Sequence, residues 1–286
     1  MVCFRQLLIL EIPVMKRYLF FLLFLGIISS VIFNSCKDSI QDFGAVEFMS
    51  GSKAIVKVNM ASVYPDDRFM IVKFNDVRVT PPIQARQPYP GGGYNTRGPS
   101  SSEFLMVEGG MVNVKICLPK KKDDGMDSVV LYNRDIQLNG GGRYTLHITD
   151  TAANTKLIAT EENFQLPDSA YASYRFINLM PNVEAIDLYY GFFSTAAASQ
   201  TPAQDSLVAS NIKFGEISPK FTLHRGSTKT FKIRPAGAAV TNESVLAFYA
   251  NANSTLNRRQ YTCYALGYAG QTSNIMKPYV SFMLIR

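Results

Sequence analysis

The chain has 286 residues, of which 47% are hydrophobic and 18% charged, and its formal net charge is +7. A charge this modest, spread along the chain, favours solubility and gives no indication of a nucleic-acid partner, so none is expected. The four cysteines and two histidines include no Cys-x-x-Cys pair and no metal-ligand spacing. We therefore expect neither a metal nor another cofactor.

The first 35 residues have the order of a secretory signal. Lys16 and Arg17 form a positive start, and residues 18–33 then run for 16 positions without a charge. A membrane-spanning helix needs roughly 20 apolar residues, so a permanent transmembrane segment is the weaker interpretation. Residues 1–35 are predicted to be a signal peptide with a helical apolar core. Because Glu11 and Pro13 are unusual ahead of such a signal, we expect translation to begin at Met15.

Cys36 follows the small residue Ser35 at the end of this segment. The arrangement resembles a bacterial lipoprotein signal, which implies that Cys36 is lipidated and becomes the mature N-terminus. The resemblance implies a membrane partner and an outer-membrane lipoprotein on the periplasmic or cell-surface face. The alternatives are an ordinary cleaved signal or a signal anchor, with Cys36 incidental. Removing residues 1–35 would leave 251 residues with 26 basic and 21 acidic side chains.

Beyond a short tether at 36–46, the chain contains short runs rich in Val, Ile, Phe, Tyr and Thr, and no convincing amphipathic helix. Many of these runs alternate apolar and polar residues, as half-buried strands do. Turn residues separate them, as at 139–142 and 235–237. This pattern predicts an all-β protein built from sandwiches or barrels. The clearest predicted strands lie at 54–60, 70–74, 111–116, 144–149, 174–179, 185–190, 231–235 and 261–265.

The predicted strands repeat. Residues 174–179 echo 56–60, and 185–190 match 69–74, with a proline turn between the two runs in each copy. A long irregular stretch follows in both halves, at 81–102 and 194–210. Residues 231–235 then match 114–117, and 261–265 match 144–148. A repeat of this length indicates duplicated domains, since solenoid units are about 20–50 residues long. We place domain 1 at 47–167 and domain 2 at 168–286.

Two segments carry a family resemblance. Residues 175–189, with Arg175, Asn178, Pro181 and Asp187, and residues 214–237, ending in Arg-Pro-Ala-Gly at 234–237, resemble the bacterial domain-of-unknown-function family 4397. The resemblance covers roughly 174–268, and the first half fits more loosely. The family implies tandem immunoglobulin-like β-sandwiches in exported proteins, commonly lipoproteins of Bacteroidetes-type bacteria. It has no agreed activity, so no catalytic residue is carried over.

Few residues suggest chemistry. His147 and His224 lack a nucleophile or a second histidine at metal spacing, so we expect both to be partly exposed strand residues. The acidic pairs at 66–67 and 123–124 lack the pattern of a calcium loop and are interpreted as solvated turns. The glycines at 91–93 do not lead from a strand into a helix, so a phosphate loop is not expected. The lysines at 120–122 are interpreted as a solvated hairpin tip, with anionic lipid or polysaccharide as the alternative.

The two remaining cysteines, Cys117 and Cys263, are expected to stay free. They fall in different predicted domains, and Cys263 lies on the inward parity of its strand, where a thiol behaves as a small apolar group. A single disulfide is the alternative in an oxidising compartment.

The long loop of the first half offers a surface for recognition. Tyr89 and Tyr94 flank its glycines, and tyrosine can stack and hydrogen-bond at once. We therefore treat these two residues as candidate ligand-binding residues. The leading hypothesis is a non-enzymatic, lipid-anchored envelope protein that acts as a binding or structural module, with an envelope protein or a polysaccharide as partner. The alternatives are a glycan-binding accessory protein or adhesin, and an envelope hydrolase.

Overall fold

The fold was analysed in a computed structural model, which describes residues 50–64, 68–84, 92–94, 104–120, 127–192, 204–224, 230–249 and 258–286. Residues 49–286 form one compact unit. In the described residues, strands make up the fold, and the one helix is a short 3₁₀ turn at Ala152–Asn154. No helix in these ranges is long and apolar enough to span a membrane. The predicted signal peptide, tether and Cys36 lie outside them.

Seventeen strands occur in the described residues, and their bounds follow in chain order. They are β1 Lys53–Met60, β2 Ile71–Phe74, β3 Val77–Arg78, β4 Gly92–Tyr94, β5 Leu105–Glu108, β6 Gly110–Pro119, β7 Asp127–Leu138, β8 Arg143–Thr149, β9 Lys156–Glu161, β10 Tyr171–Asn178, β11 Ala185–Gly191, β12 Ser206–Lys213, β13 Phe221–His224, β14 Thr230–Pro235, β15 Ala247–Tyr249, β16 Gln260–Leu266 and β17 Tyr279–Leu284. The all-β prediction is confirmed, and each of the eight clearest predicted strands falls on one of these elements.

The strands form four sheets, and each sheet draws its strands from one half of the chain. Sheet 1 has the order β4-β1-β8-β9, with β5 also pairing with β1, and sheet 2 has the order β3-β2-β6-β7. Sheet 3 has the order β13-β10-β16-β17, and sheet 4 has the order β12-β11-β14-β15. Sheets 1 and 2 form the first sandwich, and sheets 3 and 4 form the second. The domain bounds set at 47–167 and 168–286 stay a prediction.

The strand pairing confirms the internal repeat. The parallel pair β1/β8 has Val58 opposite Leu146, and the parallel pair β10/β16 has Phe176 opposite Cys263. In the second sheets, Val72 lies opposite Ile116 and Leu188 lies opposite Ile233. Predicted matches therefore occupy corresponding positions, offset by 116–118 residues. The two halves are copies of one connectivity.

Alternation along the strands supplies the core of each sandwich. In β1, Ala54, Val56, Val58 and Met60 are fully buried between sheets 1 and 2. In β16, the corresponding face carries Tyr261, Cys263 and Ala265, which pack between sheets 3 and 4. Burying an aliphatic or aromatic side chain of this size contributes roughly 1.5–3 kcal/mol. An aromatic network adds to the second core, with Tyr174 and Tyr261 stacked at a centroid distance of 5.3 Å.

Both irregular stretches contain strand. In the first, Gly92–Tyr94 pairs with the outer edge of β1, and in the second, Ser206–Lys213 forms β12. Local composition hid these strands, because glycine and serine have low strand propensity and the neighbouring strand decides the conformation. The turn at 139–142 is confirmed, and Gly141 there has a φ of +77°.

Within the described ranges, neither Cys117 nor Cys263 is part of a disulfide. Cys117 is fully buried in β6, and Cys263 lies in the second core. Burial raises the pKa of the Cys263 thiol well above its ordinary value. Because the thiolate is the reactive form, Cys263 is a packing residue.

Candidate functional site

Several of the residues that the sequence singles out lie outside the described ranges. These include the candidate binding residue Tyr89, the acidic pairs at 66–67 and 123–124 that were interpreted as solvated turns, and two of the three lysines at 120–122. The backbone of Tyr94 ends β4 and pairs with Val58, so this position is held at the edge of sheet 1. Lys120, the described lysine, is exposed.

The outer face of sheet 4 holds a buried charged cluster. The Asp205 carboxylate bridges two cations. Lys232 Nζ donates to Asp205 Oδ1 and Arg234 Nη2 donates to Asp205 Oδ2, each at 2.8 Å. The three side chains are at most 3% exposed. Arg234 also stacks on Tyr189, with its guanidinium carbon 4.6 Å from the ring centroid. Arg234, the arginine of the Arg-Pro-Ala-Gly segment, is therefore a structural residue. Its guanidinium is hydrogen-bonded inside the fold and Asp205 neutralises its charge.

The rest of the Arg-Pro-Ala-Gly segment forms a turn anchored by Asp187 of β11. Gly237 has a φ of +71°, a conformation that suits glycine. Its N–H donates to Asp187 Oδ2 at 3.0 Å, and Asn211 N–H donates to Oδ1 at 2.7 Å. The Asp187 carboxylate is therefore occupied by main-chain donors on both oxygens.

A cavity of about 350 Å³ opens beside this turn, where β11 begins and β12 and β14 end. The residues that line it include Glu184, Asn211 and Lys213, together with Pro235 and Ala236. The volume lies at the lower end of the range typical of small-molecule sites. This cavity was not predicted from the sequence, although the Arg-Pro-Ala-Gly segment and the 185–189 strand lie beside it.

A second polar cluster lies where the two sandwiches meet. We call this face the seam; it is lined by outward residues of sheet 1 and of sheet 3, namely Lys57, Asn59, Thr145, His147, Arg175, Thr262 and Tyr264, all buried. Across it, Arg175 Nη2 donates to the Glu162 carboxylate, and Thr149 Oγ1 donates to Leu179 O at 2.7 Å. A buried ion pair of this kind leaves an uncompensated charge when one partner is removed.

His147 corrects the expectation of partial exposure, because it is fully buried in the seam. The alternation of polar and apolar residues in β8 predicts that its polar face is exposed to solvent, but the second sandwich covers this face. Asn59 Nδ2 donates to His147 Nδ1 at 3.0 Å, which leaves Nε2 to donate to Thr160 Oγ1 at 3.1 Å. Burial lowers the pKa of His147 to about 3, with the nearby Arg175 charge adding to the effect. His224, at the end of β13, is exposed as expected.

Glu162 completes the seam cluster. Its Oε1 accepts from Thr145 Oγ1 at 2.8 Å, and its other oxygen accepts from Arg175. Burial raises the pKa of Glu162 against the lowering effects of Arg175, Thr145 and Lys57. Among the residues that the structure describes, no three His, Cys, Asp or Glu side chains come together as metal ligands would.

Residues 94–189 match the family model "Domain of unknown function (DUF4397)". This match confirms the family named from the sequence segments, but it overlaps their range only at 174–189. It lies mainly in the first half, where the resemblance was judged looser. No curated protein matches the chain.

Several solved structures align over most of the chain. A family 41 carbohydrate-binding module from streptococcal virulence factors, described as recognising α-glucan, is 10% identical, with 80% of this chain and 96% of that chain covered and a TM-score of 0.25. A "putative cell adhesion protein" from Parabacteroides distasonis is 10% identical, covers 82% and 100%, and has a TM-score of 0.22. A family 26 module from Eubacterium rectale, solved with maltoheptaose, is 11% identical, covers 77% and 95%, and has a TM-score of 0.19. TM-scores this low give no information about the ligand of this chain.

Proposed function

We propose that the chain is a non-enzymatic, lipid-anchored protein of a bacterial cell envelope that acts as a binding or structural module. One observation carries the non-enzymatic part. The buried ionisable groups His147, Glu162, Asp187 and Asp205 are each tied to structural partners inside the fold. A catalytic acid or base must face a substrate, and none of these four lines the cavity on sheet 4.

An activity screen of the purified protein tests this part. We expect no turnover of ester, peptide or glycoside substrates above that of heat-unfolded protein. The variants Glu162→Gln and Asp187→Asn address two of the three buried carboxylates. Turnover that one of these substitutions abolishes, while the circular dichroism spectrum stays unchanged, would contradict the proposal.

The compartment is proposed from the signal segment. An anchor at Cys36 places the sandwiches at the outer membrane, on its periplasmic or outer face. Protease treatment of intact cells distinguishes the two faces, because only a surface-exposed protein is degraded before the cells are lysed. Recovery of intact protein in the cytosolic fraction would contradict both.

Glycan binding is the second candidate. Two structural features support it: Tyr94 is fixed by the pairing of β4 with β1, and the cavity on sheet 4 has polar walls that could hydrogen-bond hydroxyl groups. We propose that a polysaccharide binds at one of these two surfaces. We expect a signal on a glycan array, and one of two double variants should remove it. The two variants are Tyr89→Ala/Tyr94→Ala and Glu184→Ala/Lys213→Ala. Each pair is the control for the other, and an array without any signal would dismiss this candidate.

A further inference from the structure

The seam brings together corresponding sheets of the two copies. Sheet 1 and sheet 3 contain the equivalent parallel pairs β1/β8 and β10/β16. If the copies were related by a simple translation, sheet 3 would face away from sheet 1, and unlike sheets would meet. Contact between like faces instead requires an approximate two-fold relation, the arrangement found in isologous dimers.

The hydrogen bonds across the seam are reciprocal. Lys57 and Arg175 occupy corresponding positions, opposite Thr145 and Thr262. Lys57 Nζ donates to the main-chain oxygen of Leu284 at 2.8 Å. Arg175 Nη1 donates to the main-chain oxygen of Glu161 at 3.0 Å. Leu284 and Glu161 also correspond.

The correspondence of these two acceptors follows from the strand register. Glu161 lies opposite Tyr144 in the first sandwich, and Leu284 lies opposite Tyr261 in the second. Each sandwich therefore presents one buried cation and one main-chain acceptor, and each receives the complement from the other. This is the "residue i contacts j and j contacts i" pattern of a self-complementary interface.

A third contact joins two corresponding residues directly. Thr151 and Tyr268 each lie two positions after the end of β8 or β16. The Tyr268 hydroxyl donates to Thr151 Oγ1 at 3.2 Å. Corresponding residues touch each other only close to a two-fold axis, so this contact places the approximate axis at the end of the β8 and β16 strands.

We propose that the seam face is a self-complementary docking surface, and that the partner it fits is a second copy of the same module from another chain. Two first sandwiches can pair through two Lys57-to-Glu161 hydrogen bonds, and two second sandwiches through two Arg175-to-Leu284 hydrogen bonds. The acceptors are main-chain oxygens, so both like-with-like pairings keep them. This inference does not depend on the proposed function.

In the intact chain, pairing within one molecule dominates. The ion pair between Arg175 and Glu162 exists only when a first sandwich meets a second. The connection at 162–170 also holds the two faces together at a millimolar effective concentration. Cutting this connection removes that advantage and exposes the like-with-like pairings.

The test uses the whole mature chain, folded intact, with a protease site inserted after Leu166, which is 46% exposed. After cleavage, native mass spectrometry resolves the species directly, because the two fragments differ in mass. We expect the mixed pair and, at rising concentration, pairs of first sandwiches and pairs of second sandwiches. Circular dichroism of the cut chain checks that both fragments stay folded.

Two single substitutions give a mirrored pattern if the docking is self-complementary. Arg175→Ala should leave first-sandwich pairs unchanged and weaken second-sandwich pairs about a hundredfold, since each lost charged hydrogen bond is worth roughly a factor of ten. It should weaken the mixed pair by more than tenfold, because the ion pair with Glu162 is lost together with the hydrogen bond to Glu161. Lys57→Ala should leave second-sandwich pairs unchanged, weaken the mixed pair about tenfold and weaken first-sandwich pairs about a hundredfold. Lys115→Ala, at an ion pair with the exposed Asp76 on sheet 2, is the control and should change none of them.

Three outcomes overturn the proposal. One is a mixed pair without any like-with-like pair at any concentration. Another is like-with-like pairs that both substitutions weaken equally. The last is folded fragments that separate into monomers, which would mean that the seam depends on the connection at 162–170.

Discussion

Individual buried charges in this protein are stable only because each has a partner. Asp205 is the clearest case, since it holds two cations on the outer face of sheet 4 and is itself completely buried. The glycine at position 191 leaves room for the Asp205 carboxylate, because a Cβ at residue 191 would lie 1.9 Å from Asp205 Oδ1. The ion pairs of Asp205 therefore depend on the absence of a side chain at residue 191.

Replacing Asp205 with Ala should be strongly destabilising. The substitution leaves Lys232 and Arg234 buried and uncompensated, which typically costs about 3–5 kcal/mol. Glu108→Ala is the matched control, because Glu108 also pairs with a lysine but is 66% exposed; its loss should cost less than about 1 kcal/mol. Urea denaturation measures both free energies of unfolding. Equal effects of the two substitutions would show that the Asp205 cluster is not the buried network described above.

His147 predicts an acid sensitivity with a defined sign. Its pKa is about 3 in the folded chain and ordinarily 6.5, so the unfolded chain binds the proton more readily. Stability should therefore be lost as the pH falls below 6.5, by about 1.4 kcal/mol for each pH unit until about pH 3. The raised pKa of Glu162 acts in the opposite direction.

The variant His147→Gln isolates this contribution. Its free energy of unfolding should depend less steeply on pH than that of the parent between pH 6 and pH 4. His224→Gln, at an exposed histidine, is the control and should follow the parent. If the His147→Gln curve runs parallel to the parent curve, the buried neutral imidazole is not the source of the sensitivity.

At the level of elements, the turn between β7 and β8 shows how backbone contacts fix the sheet edges. A Cβ at Gly140 would lie 2.1 Å from the oxygen of Gly51, whereas a Cβ at Gly51 would meet nothing within 4 Å. The two glycines face each other, but only Gly140 is required.

Gly140→Ala should therefore destabilise the chain by about 1–3 kcal/mol, because a backbone oxygen cannot turn away as a side chain can. Gly51→Ala should stay within about 0.5 kcal/mol of the parent. Thermal unfolding of both variants checks this difference. Equal melting temperatures would mean that the turn relaxes without cost.

The period of two in the sequence predicted the strands and the repeat, because pairs such as Val114 and Phe231 alternate with polar neighbours in both copies. It did not predict the seam. Lys57, Thr145 and Thr262 have the pattern of a solvent-exposed face, yet they are buried between sandwiches. Alternation shows that two faces of a strand differ, but it does not show whether the polar face meets water or another polar face. For the same reason the burial of His147 was missed.

The site on sheet 4 was partly predictable. The Arg-Pro-Ala-Gly segment and Asp187 were singled out from the sequence, and the structure brings them together around one turn. Asp205 was not singled out from the sequence, because it lies in the irregular stretch at 194–210 and not in a predicted strand. A residue 29 positions away, at the end of an irregular stretch, gives no periodic signal.

At the scale of the whole molecule, two copies of one sandwich meet through the outward faces of sheets 1 and 3, where polar side chains such as Lys57 and Arg175 lie beside apolar ones such as Ile177 and Met283. Their buried ionisable groups serve the fold, so the proposed recognition falls to the cavity on sheet 4 and the edge of sheet 1. The proposed anchor at Cys36 would hold this arrangement at a membrane, and it adds nothing to either core. Stability of the sandwiches and attachment to the envelope should therefore be separable.

The proposed lipid anchor is tested by metabolic labelling with a fatty-acid analogue in cells that produce the parent chain or the variant Cys36→Ser. We expect the parent to carry the label and to fractionate with the envelope. The variant should lack the label, leave the envelope, and retain the parent melting temperature. Equal labelling of the two proteins, or an unlabelled parent, would contradict the lipid-anchored module.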